Sequence, residues 1–93
     1  MKLTDQEQQL VNQVPIGSVV RHYKGKTMKI LHIARHSEDL SLYVVYQKLY
    51  YDEQFGELSI FVRPLTMFLE KVLVEGVEIP RFSVIPALAR RGE

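Results

Sequence analysis

The sequence predicts a small, mostly β domain, a β-barrel preceded by one α-helix, and three observations carry that prediction. From residue 18 onward, short β-forming runs alternate with turn segments. The strongest run, residues 42–50, is apolar on both faces, as a strand is when it lies centrally in a sheet or bends around a small barrel. The helical crossovers that a parallel sheet requires are missing. A length of 93 residues leaves room for one domain, with a total stability of about 5–14 kcal/mol at roughly 0.05–0.15 kcal/mol per residue.

Each element follows from local chemistry. Residues 3–13 read as the helix, because Thr4 and Glu7 form a capping box and Leu10, Val11 and Val14 give an apolar stripe. The cap contributes about 1 kcal/mol. Pro15 then pushes Val14 out of the α region and Gly17 supplies a turn. Residues 18–23 and 28–35 pair as a hairpin across Lys24-Gly25-Lys26, and Ser37-Glu38-Asp39 turns the chain into the run at 42–50. A polar loop from Asp52 to Glu57 leads to a fourth strand, 58–62, that stops at Arg63-Pro64. Proline at a first helical position suits a short helical turn through Leu65–Phe68. Residues 69–74 and 78–84 read as a second hairpin across Glu75-Gly76-Val77, ending in Pro86 and a frayed basic tail, Arg90-Arg91-Gly92-Glu93. The expected organisation is helix and linker over 1–16, barrel over 17–85 and basic tail over 86–93.

Composition removes several function classes. Without cysteine, disulfide frameworks, thiol nucleophiles, iron–sulfur clusters and thiolate zinc sites are excluded. The N-terminal MKLTDQEQQL has acids and glutamines where a signal peptide has an apolar core, and no apolar stretch approaches the roughly 20 residues of a membrane span. A bacterial-style cytoplasmic protein is the expectation. Twelve Lys+Arg against eleven Asp+Glu hide an asymmetry. Residues 14–36 carry Arg21, Lys24, Lys26, Lys29 and Arg35 with no acid, plus His22, His32 and His36, whereas residues 37–60 set Lys48 against Glu38, Asp39, Asp52, Glu53 and Glu57. The first hairpin is therefore a basic element that attracts phosphates or an acidic partner if its charges project together.

Catalytic and metal motifs fail on geometry. Gly25-Lys26-Thr27 ends like a phosphate-binding loop, but the first glycine of that motif falls on Val20 and a strand follows. His32 and His36 have metalloprotease spacing, yet Ile33 replaces the glutamate, and on a strand four residues span roughly 13 Å. His36-Ser37-Glu38 holds triad residue types, but neighbours on an extended chain point to opposite faces. These three and Asp39 read better as turn-closing groups, with His36 capping or pairing with a carboxylate. No metal and no cofactor are expected. Tyr43, Tyr46, Tyr50 and Tyr51 offer stacking faces or an amphipathic rim to the core.

In order along the chain stand His22-Tyr23-Lys24-Gly25, Ala34-Arg35-His36-Ser37-Glu38, Val44-Val45-Tyr46-Gln47 with Leu49-Tyr50, Val62-Arg63-Pro64 with Met67-Phe68, and Pro80-Arg81-Phe82. Together they resemble a bacterial family of small stand-alone domains of unknown function, the one numbered 1653. The resemblance covers about residues 17–82 and implies a small SH3-like β-barrel with no established activity, substrate or cofactor. The family's polar signature falls on His22, Lys24, Gly25, Arg35, His36, Ser37, Glu38, Tyr46, Arg63 and Arg81. Met28, Phe61 and Asp39 depart from its pattern.

Two functional readings follow. The leading one is a non-enzymatic binding module whose basic and aromatic face, with candidate residues His22, Lys24, Lys26, Arg35, His36, Glu38, Tyr46, Arg63 and Arg81, takes an anionic or extended ligand. That ligand is single-stranded nucleic acid, RNA first, or a peptide or protein partner. The alternative is a metabolite-binding or enzymatic domain in which His36 and Glu38 do acid–base work while Arg63 and Arg81 clamp a phosphate or carboxylate. Convergence of those four side chains in one pocket separates the second reading from the first. A third possibility is that the two arginines only brace irregular loops. Self-association as a homodimer, through an exposed strand edge or the helix, is compatible with any of these.

Overall fold

The computed structural model describes residues 1–86; the tail beyond Pro86 lies outside the described residues. Helix α1, Asp5–Val11, starts at the capping box that the sequence indicates. Glu7 N–H donates to Thr4 Oγ1 at 3.1 Å, and Thr4 N–H donates to Glu7 Oε1 at 3.0 Å. It is shorter than residues 3–13, because the chain tightens after Val11, where the N–H groups of Gln13 and Val14 reach back only three residues. Seven residues are too few for an isolated helix. Leu10 and Val11 pack against the core, and the Arg35 guanidinium sits 3.1 Å from the Glu7 carboxylate, tying the helix to the sheet.

Five strands form the main sheet: β1 (Val19–His22), β2 (Thr27–Arg35), β3 (Leu42–Lys48), β4 (Ile60–Pro64) and β7 (Phe82–Val84). Their order is β4-β3-β2-β1-β7, and every pair is antiparallel. Strand β2 shifts register between Ile30 and His32, a bulge that bends it. Between β4 and β7 run the expected helical turn α2, Leu65–Phe68, and a separate hairpin of β5 (Lys71–Val74) with β6 (Val77–Pro80).

Two expectations are corrected here. Among the described residues the barrel is not formed: β4 and β7 are both free edges, and the sheet is open. It nevertheless curls. Three strand steps at about 4.8 Å put β7 roughly 14 Å from β3 in a flat sheet, yet the Phe82 and Tyr46 rings are 6.5 Å apart. Phe82 stacks on Phe68 of α2 at 4.1 Å, so an aromatic wedge occupies the space where a closing seam between β4 and β7 would lie. Secondly, residues 78–84 are not one strand. Pro80 has no N–H to extend the ladder, and Arg81 changes partners, its N–H donating to Glu70 O and its carbonyl accepting from Tyr23 N–H. The segment from Phe82 therefore pairs with β1 instead of β5.

The strand pleat sorts the side chains. Val20, Ile30, Val44 and Leu42 point to the concave face and are buried, with Ile30 and Val44 at 0% exposure. Leu65 and Phe68 of α2 and Val14 pack into the same core. Beyond Met28 and Tyr46 one end of the face is uncovered.

Candidate ligand-binding groove

The uncovered end of the concave face is a groove of about 440 Å³. Strand registers determine what lines it. His22 lies opposite Phe82, Lys48 opposite Met28, and Phe61 opposite Tyr46, so residues of all five strands face inward together. Met28 and Tyr46 make a buried floor. At one end Phe82 holds the His22 ring edge-on at 5.2 Å and lies 5.6 Å from the Arg63 guanidinium carbon. At the other, the Lys26 ammonium sits 4.5 Å from the Tyr50 ring centre, and Lys48 lies 4.0 Å from that of Phe61.

Among the lining residues are four Lys or Arg side chains and no carboxylate. Lys48 is partly neutralised by Asp52 at 2.9 Å, a hydrogen bond that raises the lysine pKa and lowers that of the aspartate. Arg63 has no side-chain hydrogen bond or ion pair among the described residues, and its Nε is buried without a partner. Arg81 does not line the groove. It has one loose contact to Glu70 at 3.4 Å and a buried Nε that also lacks a partner. Buried guanidinium donors left unpaired are uncommon, because desolvating them costs about 1–3 kcal/mol or more.

His22 is held neutral. Burial lowers its pKa from the ordinary 6.5, and the charges of Arg81, Arg63 and Lys24 push the same way. Its Nδ1 accepts the Lys24 backbone N–H at 3.1 Å, so the ring proton resides on Nε2. That N–H is a donor without a protein acceptor among the described residues.

Of the nine residues singled out from the sequence, the groove brings together His22, Lys24, Lys26, Tyr46 and Arg63. The basic hairpin divides by strand period, since Arg21 and Lys29 belong to the pleat face opposite His22 and Met28. Arg35 is committed to Glu7 and to the carbonyl of Leu40. His36 packs against Tyr43, on the opposite face of β3 from Tyr46, and its Nδ1 accepts the N–H of Glu38 at 3.1 Å. Glu38 accepts from Ser37 Oγ, and Asp39 accepts both N–H and Oγ–H of Ser41. This is turn-closing chemistry. The convergence of His36 and Glu38 with Arg63 and Arg81 that the enzymatic reading needs does not occur. Among the described residues, no three His, Asp or Glu side chains are grouped to hold a metal ion.

Sequence reasoning does not single out Lys48, Tyr50, Met28, Phe61 or Phe82 as groove residues. The first two had a signal, since Tyr46, Lys48 and Tyr50 stand two apart along one strand and its extension. Phe61 and Phe82 become visible only through pairing register and the curl of the sheet.

The family model of DUF1653, described as a protein of unknown function, matches residues 18–84. A crystal structure of a DUF1653 protein from Bordetella bronchiseptica is similar over 78% of this chain and 90% of that one, with 33% identity and a TM-score of 0.67. No curated protein matches the chain.

Proposed function

For a chain that belongs to the DUF1653 family of proteins of unknown function, we propose a non-enzymatic binding role: the groove takes a short segment of single-stranded nucleic acid. One observation carries the reading. Four cationic side chains and no carboxylate line a groove that also carries the rings of Tyr50, Phe61 and Phe82, and the Arg63 guanidinium among them is half-buried with its Nε unsatisfied. Cations along a groove track a phosphate backbone while aromatic faces stack on bases. A peptide is anionic only where acidic side chains fall, whereas every linkage of a nucleic acid carries a charge, and an apolar ligand would leave the arginine donors unpaired.

The test is the affinity of a fluorescent oligouridylate for the protein, measured across salt concentrations by anisotropy. Each phosphate neutralised on a single strand adds about −0.7 to the slope of log K against log salt, so two or three contacts predict roughly −1.4 to −2. Arg63→Gln is expected to weaken binding about tenfold or more and to flatten that slope by about 0.7. A salt-independent affinity, or an Arg63→Gln protein that binds as the parent does, contradicts the proposal.

A further inference from the structure

The two ends of the groove differ in charge. At the Phe82 end, His22 lines the groove with Lys24 of the β1–β2 turn and with Arg63 of β4, 5.6 Å from the Phe82 ring, and Arg81 immediately precedes Phe82, the register partner of His22; the only carboxylate among the described partners is Glu70, on Arg81. Three cations against one carboxylate leave a surplus of two. At the Tyr50 end, Lys26 and Lys48 are set against Asp52, a surplus of one. A phosphodiester carries one negative charge, whereas a phosphate monoester carries about −1.5 to −2 at pH 7.

Resting on the nucleic-acid reading above, we propose that the Phe82 end is a subsite for a phosphate monoester borne on a nucleoside, so that the groove takes a strand by its phosphorylated end. The His22 Nε2–H and the Arg63 guanidinium are the donors that reach it, and Arg81, next to Phe82 in the chain, adds charge. Arg63 has a planar fork that matches phosphate oxygens, and His22 contributes a neutral N–H that needs no proton transfer on binding. The Met28 and Tyr46 floor with Phe61 then lies under the adjoining base, and Lys26 meets the next phosphate, a diester. A hydroxyl-ended strand leaves the Phe82 end with surplus charge and unpaired buried donors, which is the physical source of discrimination.

The experiment compares tetrauridylates ending in a 5′-phosphate, a 3′-phosphate or only hydroxyls, together with uridine monophosphate and a phosphoserine peptide. Affinities are measured by calorimetry at one salt concentration. One phosphorylated tetramer is expected to bind at least about tenfold more tightly than the hydroxyl form. Arg63→Gln is expected to erase that ratio, whereas Lys26→Gln weakens both strands alike and keeps it; amide spectra of both variants verify the fold. Equal binding of all three tetramers overturns the subsite and leaves the nucleic-acid groove standing. Failure of every tetramer overturns both. Uridine monophosphate binding as tightly as the best tetramer keeps the monoester subsite but overturns the strand-end part of the proposal, because Lys26 and the floor then add nothing. The phosphoserine peptide binding most tightly overturns the nucleoside part of the proposal.

Discussion

At the residue scale, the balance that decides the groove is between desolvation and charge around His22. Burial and three neighbouring cations oppose its protonation. Unfolded, the imidazole titrates near 6.5, and folded, below it. The unfolded chain therefore binds more protons in that window. The stabilising contribution is complete above pH 6.5 and is lost as pH falls through the folded value. Thermal melts should show the parent protein losing more stability between pH 7 and pH 5 than His22→Gln does. A bound anion offsets the repulsion from Arg63, Arg81 and Lys24, so saturating phosphate ligand should shrink the difference; parallel melting curves for parent and variant would contradict the account. Arg35 and Arg63 make the complementary point. Both are prominent in the sequence and both are arginines on strands, yet one has a carboxylate 3.1 Å away and the other has none among the described residues. Residue type alone does not separate a brace from a ligand contact, because the difference lies in a partner 28 positions away in the chain.

At the element scale, turn chemistry was the most legible part of the fold. The capping box of α1, the helical turn after Pro64 and the side-chain closure of the Ser37–Asp39 turn are all local, spanning a few residues, and the sequence reading finds each of them. The β5–β6 turn is local too. Glu75 and Gly76 both have positive φ, 50° and 81°, the signature of a tight two-residue turn that favours asparagine followed by glycine. Glu75→Asn should raise stability by a part of the roughly 1–2 kcal/mol that left-handed backbone costs an ordinary residue, read as a higher denaturant midpoint. An unchanged or lower midpoint would mean that the hairpin's conformation is imposed from outside the turn. Non-local pairing was the illegible part. The division of residues 78–84 between two sheets depends on Arg81 exchanging hydrogen bonds with Glu70 and Tyr23, and neither partner is near it in sequence.

At the scale of the whole molecule, the barrel expected from an all-round apolar β3 is replaced by a curled, open sheet. The inference from β3 is sound as far as it goes, since the strand is central and half-buried on its second face. What it does not contain is the length of the edges. Strand β7 has three residues flanked by Pro80 and Pro86, too few to zip along β4, and the Phe68–Phe82 stack fills the gap with side chains. The proline at the end of β4 and those around β7 also blunt these edges against strand addition, although Ile60 and Val62 on β4 remain 58% and 60% exposed. The open end of the curl is what leaves a groove above the buried Met28 and Tyr46, with Phe61 and the surrounding cations along it. Fold and candidate function thus have a common origin in incomplete closure.

The most direct measurement of the central claim is an amide NMR titration of labelled protein with a short single-stranded RNA at low and moderate salt. Shifts are expected to concentrate at His22 to Met28, Tyr46 to Tyr50, Phe61 to Arg63 and Phe82 and to weaken as salt rises, with Arg35, His36 and Glu38 unmoved. Shifts centred on the 36–41 turn, or none at high RNA concentration, would contradict that claim.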